Sequence, residues 1–175
     1  LRVGEVGSEI VAALDGSNKI RDLSNYIKDL NPQTLNYETL NRLKKINLTE
    51  LNEIDSNIRI GPCISNPIDF LAIGLNYKAH AEGTKSKLPT EPIVFNKSSG
   101  CIQGPNDPII KPKSANKMDY EVEVGMIIGR EGKYIKEENA QDFVFGYCIV
   151  NDISERSWQK ERGGQWIKGK SIAGP

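Results

Sequence analysis

Apolar positions in the first sixty residues follow two different patterns. Across residues 37–46 they recur every three positions, a spacing that predicts an amphipathic helix. The apolar run from Ile10 to Leu14, followed by Asp15-Gly16, predicts a strand and a tight turn. A shorter helical turn is expected between Leu23 and Leu30. We therefore predict a small N-terminal α+β domain over residues 1–60.

From Gly61-Pro62 onward the pattern changes to short apolar runs separated by Gly, Pro, Asn and Asp. Runs of this kind are typical of strands, and their number predicts a closed or sandwich-like sheet. The predicted strands are Phe70–Leu75, Pro92–Phe95, Pro108–Ile110, Tyr120–Ile128 and Phe143–Val150. The fold class is therefore α+β and mostly β, with the larger domain over residues 61–175.

Charge and composition narrow the classes of partner. The chain has 23 Lys and Arg residues and 23 Asp and Glu residues, so its formal net charge is zero. Without a net field, we expect neither nucleic acid nor an anionic membrane surface as a partner. No apolar run approaches the roughly 20 residues that span a bilayer, and the N-terminus lacks a signal-peptide layout. We expect a soluble, cytoplasmic protein, and the charge balance leaves small-molecule chemistry or a neutral protein partner.

The three cysteines, Cys63, Cys101 and Cys148, lie far apart and form no Cys-x-x-Cys pair. We expect them to be reduced and mostly buried. A catalytic cysteine would need an activating base, and the chain contains only one histidine, so this interpretation is disfavoured. The same shortage of sulfur and imidazole ligands favours a hard metal ion over zinc.

Three acidic residues could provide the oxygen ligands for such an ion. Glu121 and Glu123 stand two apart in a predicted strand, so their side chains point to the same face. Asp152 follows the end of the next predicted strand. Three carboxylates suit Mg²⁺ or Mn²⁺ and leave positions for substrate oxygens. The alternative is that the glutamates form the solvated face of an edge strand and Asp152 lies in a turn, and these residues alone leave both open.

Two further residues could take part in proton transfer or charge stabilisation. His80 follows an apolar strand. Histidine is the residue type whose unperturbed pKa lies near neutrality, and this suits a general base. The alternative is a surface or helix-capping histidine. Lys170, in Lys168-Gly-Lys170-Ser171, could neutralise an oxyanion or a carboxylate. The alternative is a solvated lysine in a loop.

Residues 154–166 predict a short helix that is capped by Ser154 and ends at glycines. Arg156 and Gln159 are three apart and would share a helical face. Arginine is suited to clamping a carboxylate, and glutamine can donate to a carbonyl. The alternative is a surface helix that Trp158 anchors to the core.

Several motifs occur along the chain in one order. They are Ile73-Gly-Leu-Asn-Tyr-Lys-Ala-His80, Glu91-Pro-Ile-Val-Phe-Asn-Lys97, Gly104-Pro105, Asp119-Tyr-Glu-Val-Glu123, Gly146-Tyr147 through Asn151-Asp-Ile-Ser-Glu-Arg156 with Gln159, and Gly169-Lys-Ser171. Over about residues 61–169 this series resembles the fumarylacetoacetate hydrolase family. The N-terminal region and the segment before Ser171 are similar to a bacterial branch of ureidoglycolate lyases and 2,4-diketo-3-deoxy-sugar-acid hydrolases.

The resemblance implies a mixed β-roll catalytic domain, a homodimer and a bound Mg²⁺ or Mn²⁺ ion, with Ca²⁺ as a further candidate. It also implies roles for particular residues. These are metal ligation by Glu121, Glu123 and Asp152, activation of water by His80, an oxyanion or substrate-carboxylate contact by Lys170, and substrate binding by Gln159 and Arg156.

The implied function is metal-dependent hydrolysis of a carbon-carbon bond in a 2,4-diketo acid, such as an acylpyruvate or a 2,4-diketo-3-deoxy sugar acid, with release of pyruvate. Ureidoglycolate cleavage, oxaloacetate decarboxylation, and keto-acid isomerisation or dehydration would use the same metal site and stay open. A non-catalytic metal-binding module is the alternative from another class.

Three departures from the family pattern bear on that expectation. Gly83 stands where the family often carries a glutamate that pairs with the histidine, and Glu82 is the candidate to replace it. After Ser171 only two residues precede Gly174-Pro175, fewer than in the family. The family's C-terminal half is absent, so we expect a chain truncated at its C-terminus.

Overall fold

A computed structural model of the chain describes residues 1–172. The chain divides into two compact units, each built from more than one stretch of sequence. Unit 1 contains Leu1–Pro67, Gln103–Pro108 and Val122–Asn151, and unit 2 contains Ile68–Ile102, Ile109–Glu121 and the residues from Asp152 onward. The domain limits expected from the sequence, 1–60 and 61–175, stay a prediction. The predicted shortening after Ser171 concerns residues 173–175, which lie outside the described residues.

Strands outnumber helices in the described residues, as the predicted α+β and mostly β class requires. The strands are β1 (Arg2–Val3), β2 (Ile10–Leu14), β3 (Ile20–Asp22), β4 (Glu53–Ile54), β5 (Leu71–Gly74), β6 (Ile93–Asn96), β7 (Met118–Asp119), β8 (Val122–Ile128), β9 (Val144–Asn151) and β10 (Ser154–Glu155). The α-helices are α1 (Tyr37–Leu43), α2 (Lys78–Gly83), α3 (Arg156–Lys160) and α4 (Ile167–Lys170). No helix in residues 1–172 is long and apolar enough to cross a membrane.

In unit 1, four antiparallel strands form a sheet in the order β1-β2-β3-β4. Alternate residues of β2 point to opposite faces, and each face supports a separate apolar cluster. One cluster is built on Val3, Ala12 and Ile20, and the other on Val11, Leu23 and Ile27. The predicted strand at Ile10–Leu14 is therefore confirmed.

The helical predictions for the first sixty residues have mixed outcomes. Helix α1 is confirmed and starts at the cap residue Asn36, whose side chain accepts a hydrogen bond from the backbone N–H of Thr39. The turn expected between Leu23 and Leu30 is shorter than predicted. It amounts to one turn, in which Tyr26 and Ile27 donate to the carbonyl of Leu23.

Strands β8 and β9 of unit 1 pair in antiparallel register, with Glu123 opposite Val150 and Gly125 opposite Cys148. A methyl group on Gly125 would lie 2.5 Å from Val150 Cγ2 and 2.8 Å from Cys148 Sγ, so the pairing needs glycine there. The hydroxyl of Tyr37 donates to the carbonyl of Val144 at 2.6 Å and fastens α1 to β9.

Two predicted strands differ from the structure. The run Tyr120–Ile128 forms a strand only from Val122, so Glu121 lies just before β8. Residues 108–110 form no strand in the described structure, and both isoleucines there are about half exposed. Proline has no backbone N–H to donate to a neighbouring strand; Pro108 begins this run and Pro112 lies two residues after it.

Within its residues up to 172, unit 2 contains two antiparallel pairs, β5 with β6 and β7 with β10. The second pair sets Asp119 opposite Ser154 and Met118 opposite Glu155. Helix α3 follows β10 directly, and α4 packs against both of these elements. This arrangement brings the predicted site residues of the C-terminal segment into one unit.

A network of ion pairs crosses unit 1. The guanidinium of Arg59 pairs with Glu9 at 2.9 Å and with Asp107 at 2.6 Å. Arg2 pairs with the same Glu9 and with Asp29. The hydrogen bond from Arg59 lowers the pKa of Asp107 below its usual value. The pair therefore stabilises the fold at neutral pH, and this contribution is lost as the pH falls through the folded-state pKa of Asp107.

Replacing Arg59 with methionine in the full-length protein tests how much this network contributes to the free energy of unfolding. The change leaves Glu9 and Asp107 without their shared cation, so we expect a loss of about 3 kcal/mol in the free energy of unfolding. Urea titration measures it. The control is Lys19→Met, which removes an ion pair with Glu53 whose side chains are both about half exposed, and should change stability by less than about 1 kcal/mol. Equal effects of the two changes would contradict a structural role for the network.

Candidate active site

Glu121 and Asp152 meet through their backbones before their side chains are considered. Glu121 directly precedes β8, and Asp152 directly follows β9. The backbone N–H of Asp152 donates to the carbonyl of Glu121 at 2.8 Å. Two carboxylates that are distant in sequence are thereby held side by side.

The side chain of Lys170 joins these two carboxylates. Its ammonium group donates to Glu121 Oε2 and to Asp152 Oδ2, the second at 2.8 Å. Only 3% of Lys170 is exposed. A buried ammonium needs anionic partners, and two buried carboxylates need a cation, so each compensates the other. The structure thus brings together two of the three predicted metal ligands and the predicted lysine.

A second lysine, Lys97, was not assigned a role from the sequence. It follows β6, is 4% exposed, and donates from Nζ to Asp152 Oδ1 at 2.5 Å and to the backbone carbonyl of Lys170. Its only signal in the sequence is its place at the end of the motif that begins at Glu91. A lysine at the end of an apolar strand is expected to be solvated, so burial could not be foreseen from the sequence.

Arg156 extends the cluster from the start of α3. Its Nη2 lies 2.8 Å from Glu121 Oε1, and its Nε donates to Asp119 Oδ2 at 2.9 Å. Its Nη1 donates to the amide oxygen of Gln159 at 2.9 Å, as their spacing on one helical face allows. Gln159 is 3% exposed. Because its oxygen accepts from Arg156, its NH₂ group is the part that can donate to a ligand.

The charges around Glu121 keep it ionised. Burial alone would raise the pKa of Glu121, but hydrogen bonds and charge from Arg156 and Lys170 outweigh burial and lower the pKa to about 2. A carboxylate with so low a pKa accepts hydrogen bonds or coordinates cations throughout the physiological range, and it does not act as a proton donor there.

The helix cap predicted at Ser154 is wrong. Ser154 belongs to the extended pair β7-β10. Its hydroxyl lies 3.0 Å from Glu121 Oε2 and 2.9 Å from the carbonyl oxygen of Asp152, so its single proton can be donated to either acceptor. The residue that caps α3 is Glu155, whose side chain accepts from the backbone N–H of Trp158. Serine and glutamate can both accept from a helix N-terminus, so the sequence alone did not distinguish them.

Three further predicted residues are His80 and Glu82 on α2 and Glu123 on β8. His80 and Glu82 are both exposed on α2, and neither makes a hydrogen bond or ion pair with Glu121, Asp152 or Lys170 within residues 1–172. Residues two apart on a helix project in nearly opposite directions, so Glu82 does not face His80. Glu123 lies in β8 and is half-buried.

A divalent ion can be tested against the donors that are present. Within residues 1–172, no three acidic, histidine or cysteine side chains are grouped as a metal site. Glu121 and Asp152 nevertheless converge on one cationic atom, the ammonium nitrogen of Lys170. Carboxylate oxygens around a shared positive charge are the donor chemistry that Mg²⁺ and Mn²⁺ require. These two residues therefore fit a hard cation, and Glu123 stays the predicted third ligand.

Comparison with known proteins identifies the family. The family model described as "Fumarylacetoacetate (FAA) hydrolase C-terminal" matches residues 69–175. The chain belongs to the fumarylacetoacetate hydrolase family. Membership is consistent with the ordered motifs. The bacterial branch suggested by the sequence stays a prediction.

Relatives of this fumarylacetoacetate hydrolase family chain are longer than the chain itself. A Burkholderia cenocepacia protein named "Putative hydrolase" is 46% identical over 172 residues, which cover 98% of this chain and 61% of the relative. The chain therefore spans about three fifths of the length of the curated relatives that it matches.

Solved structures confirm the predicted family fold. The fumarylacetoacetate hydrolase of Exiguobacterium antarcticum has a TM-score of 0.80 at 26% identity, covering 98% of this chain and 61% of that protein. A maleylpyruvate hydrolase of Sphingobium sp. SYK-6, solved with manganese(II) and pyruvate, has a TM-score of 0.74 at 20% identity, covering all of this chain and 64% of that one. At this identity the second likeness shows the fold alone.

The placement of Lys170 depends on a glycine in α4. A methyl group on Gly169 would lie 2.4 Å from the carbonyl oxygen of Glu155 and 2.6 Å from the backbone nitrogen of Gln159. Such distances cannot be relieved by a side-chain rotation because both neighbours are backbone atoms. Gly169 thus allows α4 to approach the start of α3.

We predict that Gly169→Ala destabilises the full-length protein by about 2 kcal/mol, because the methyl group would force the two helices apart. Thermal and urea unfolding measure the loss. The matched control is Gly83→Ala at the end of α2, where an added methyl group meets nothing within 4 Å. That change should be neutral or slightly stabilising. A Gly169→Ala protein as stable as the control would contradict the close approach of α3 and α4.

Proposed function

We propose that the full-length protein is a metal-dependent hydrolase that cleaves a carbon-carbon bond in a 2,4-diketo acid and releases pyruvate. The observation that carries this proposal is the buried cluster of Glu121 and Asp152 with Lys170 and Lys97. Membership of the fumarylacetoacetate hydrolase family supports it. We further propose that the protein acts as a homodimer.

The cluster suits an anionic keto acid because it supplies cations in a dry environment. Three basic groups, from Lys97, Lys170 and Arg156, face the two carboxylates. Electrostatic attraction is stronger where water is excluded, so a substrate carboxylate or a developing oxyanion would be stabilised there.

We propose that Glu121, Glu123 and Asp152 hold the divalent ion. When bound, such an ion supplies Lewis-acid stabilisation of negative charge on substrate oxygens. The chain's own residues would do the rest. His80 would accept a proton from the attacking water, and its exposed imidazole is accessible to solvent. Lys170 and the NH₂ group of Gln159 would donate to the oxyanion that forms at the attacked carbonyl.

Glu82 has a weaker case than the other candidates. It was proposed to orient His80 in place of the glutamate that Gly83 replaces, yet it projects away from His80 on α2. His80 in this chain would therefore act without a carboxylate partner from its own helix. We propose that Glu82→Gln leaves turnover unchanged, whereas His80→Asn abolishes it.

Other reactions on the same residues stay open. Ureidoglycolate cleavage, oxaloacetate decarboxylation, and keto-acid isomerisation or dehydration all develop negative charge on substrate oxygens, so the same cluster would serve each of them. A non-catalytic metal-binding module also stays open. Turnover measured on a panel of keto acids and ureidoglycolate distinguishes the alternative reactions from one another. Metal binding without turnover of any of these compounds favours the non-catalytic module.

The decisive experiment follows the loss of diketo-acid enol absorbance by the full-length protein with Mg²⁺ or Mn²⁺. We expect Glu123→Gln and Asp152→Asn to reduce kcat/KM by at least about 100-fold, the size of effect seen when a group that stabilises transition-state charge is removed. Chelation by EDTA should reduce wild-type turnover similarly. The control is Glu138→Gln, in which a side chain 69% exposed is changed without effect on turnover. Undiminished turnover in Asp152→Asn would contradict the assignment.

A further inference from the structure

One buried carboxylate lies beside the cluster without belonging to it. Glu155 has no exposed surface. Its Oε1 accepts from the backbone N–H groups of Asn116 at 3.0 Å and Lys117 at 2.5 Å. Its Oε2 accepts from the hydroxyl of Ser157 at 2.7 Å and from the backbone N–H of Trp158 at 2.6 Å. All four donors are neutral.

Four donors are enough to keep a buried carboxylate ionised. Burial raises the pKa of Glu155, but the hydrogen bonds from Ser157 and from the backbone of Lys117, Trp158 and Asn116 outweigh it and lower the pKa to about 2. An ionised carboxylate can only accept hydrogen bonds. It therefore suits a position where every neighbour is a donor.

The two oxygens of Glu155 connect two segments that carry site residues. Oε1 holds the loop at 116–117, which leads into β7 and Asp119. Oε2 holds the first turn of α3, which carries Arg156 and Gln159. A backbone hydrogen bond of 2.9 Å from Arg156 to the carbonyl of Lys117 runs alongside. Because both segments are tied to one side chain, their separation is set by its length.

The separation of α3 from the loop matters for the cluster because Arg156, at the start of α3, contacts residues of both. The guanidinium contacts the carboxylates of Asp119 and Glu121 and the amide oxygen of Gln159. A displacement of α3 from β7 would change which of these atoms Arg156 can reach. It would also release the amide of Gln159, whose oxygen accepts from the same guanidinium.

We propose that Glu155 is a positioning residue, whose carboxylate fixes α3 against the loop before β7 and so orients Arg156 and Gln159 toward substrate. This role rests on the proposed function, since it concerns the same site. Glu155 itself touches no substrate. Glu155 acts through Gln159. Arg156 holds the amide oxygen of Gln159, so the NH₂ group is left to donate to the substrate.

The test is Glu155→Gln in the full-length protein, combined with Gln159→Ala in a double-mutant cycle. Glutamine has the same size as glutamate, but its NH₂ group would face donors in place of one carboxylate oxygen. The hydrogen bonds to one of the two segments would therefore be lost. We expect kcat/KM on the best keto acid to fall on the order of 100-fold, as for a reacting group misplaced by about 1 Å. If Glu155 acts through Gln159, the double variant should be about as slow as Gln159→Ala. Losses that multiply would overturn the proposal.

A matched control lies five residues beyond Arg156. Glu161 holds the same loop from outside, through a 2.5 Å bond from Lys117 Nζ, and both side chains are more than half exposed. Glu161→Gln should leave kcat/KM within about two-fold of wild type, because exposed pairs contribute little. A loss equal to that of Glu155→Gln would indicate general loosening of α3 and overturn the specific role.

A readout without turnover separates this proposal from the proposed function. In ¹⁵N relaxation measurements, the side-chain amide of Gln159 should be rigid in the wild type and mobile in Glu155→Gln. Should the wild type turn over no substrate, the proposed function fails, and the relaxation result still decides the role of Glu155. Unchanged rigidity would overturn it. If Glu155→Gln does not fold, Glu155→Asp replaces it, and its shorter carboxylate should give intermediate mobility.

Discussion

Buried carboxylates have to be matched by donors or cations, and this requirement organises the candidate site. Glu121 and Asp152 are held side by side through their backbones and share the ammonium of Lys170. Removing either partner from such an arrangement would leave an uncompensated buried charge, which is among the more destabilising changes in a protein. Lys97 brings a second ammonium group to Asp152. The close approach at Gly169 allows α4 to place Lys170 beside both carboxylates.

The two units use buried charge differently. In unit 1, the carboxylates of Glu9 and Asp107 both pair with the guanidinium of Arg59. Every charge in this network has an opposite partner, and the network stabilises the fold. In unit 2, lysine ammonium groups gather around Asp152. A lysine ammonium is a compact charge on a flexible stem, whereas an arginine presents a planar fork that binds a carboxylate in one geometry. Lysine is therefore better suited to yield a carboxylate to a metal ion or to turn toward an anionic ligand.

Much of this could be predicted from the sequence, because local patterns determine it. Strand and helix periodicity located α1, β2, β8 and β9, and the order of motifs identified the family. The partners of Lys97 could not be predicted, since Asp152 is 55 positions away and burial depends on the folded chain. The hydrogen bonds that Glu155 accepts from the backbone at 116–117 could not be predicted for the same reason, since these donors are 38 and 39 positions away. Ser154 was misassigned because cap preference is weak beside the pairing of β10 with β7.

The most direct measurement is anomalous X-ray diffraction from crystals of the full-length protein grown with Mn²⁺, recorded at the manganese absorption edge. We expect one strong anomalous peak among the carboxylates of Glu121, Glu123 and Asp152, with Lys170 displaced from at least one of them. Crystals that bind manganese elsewhere, or that retain Lys170 on both carboxylates without any peak beside them, would contradict the metal site and with it the proposed chemistry.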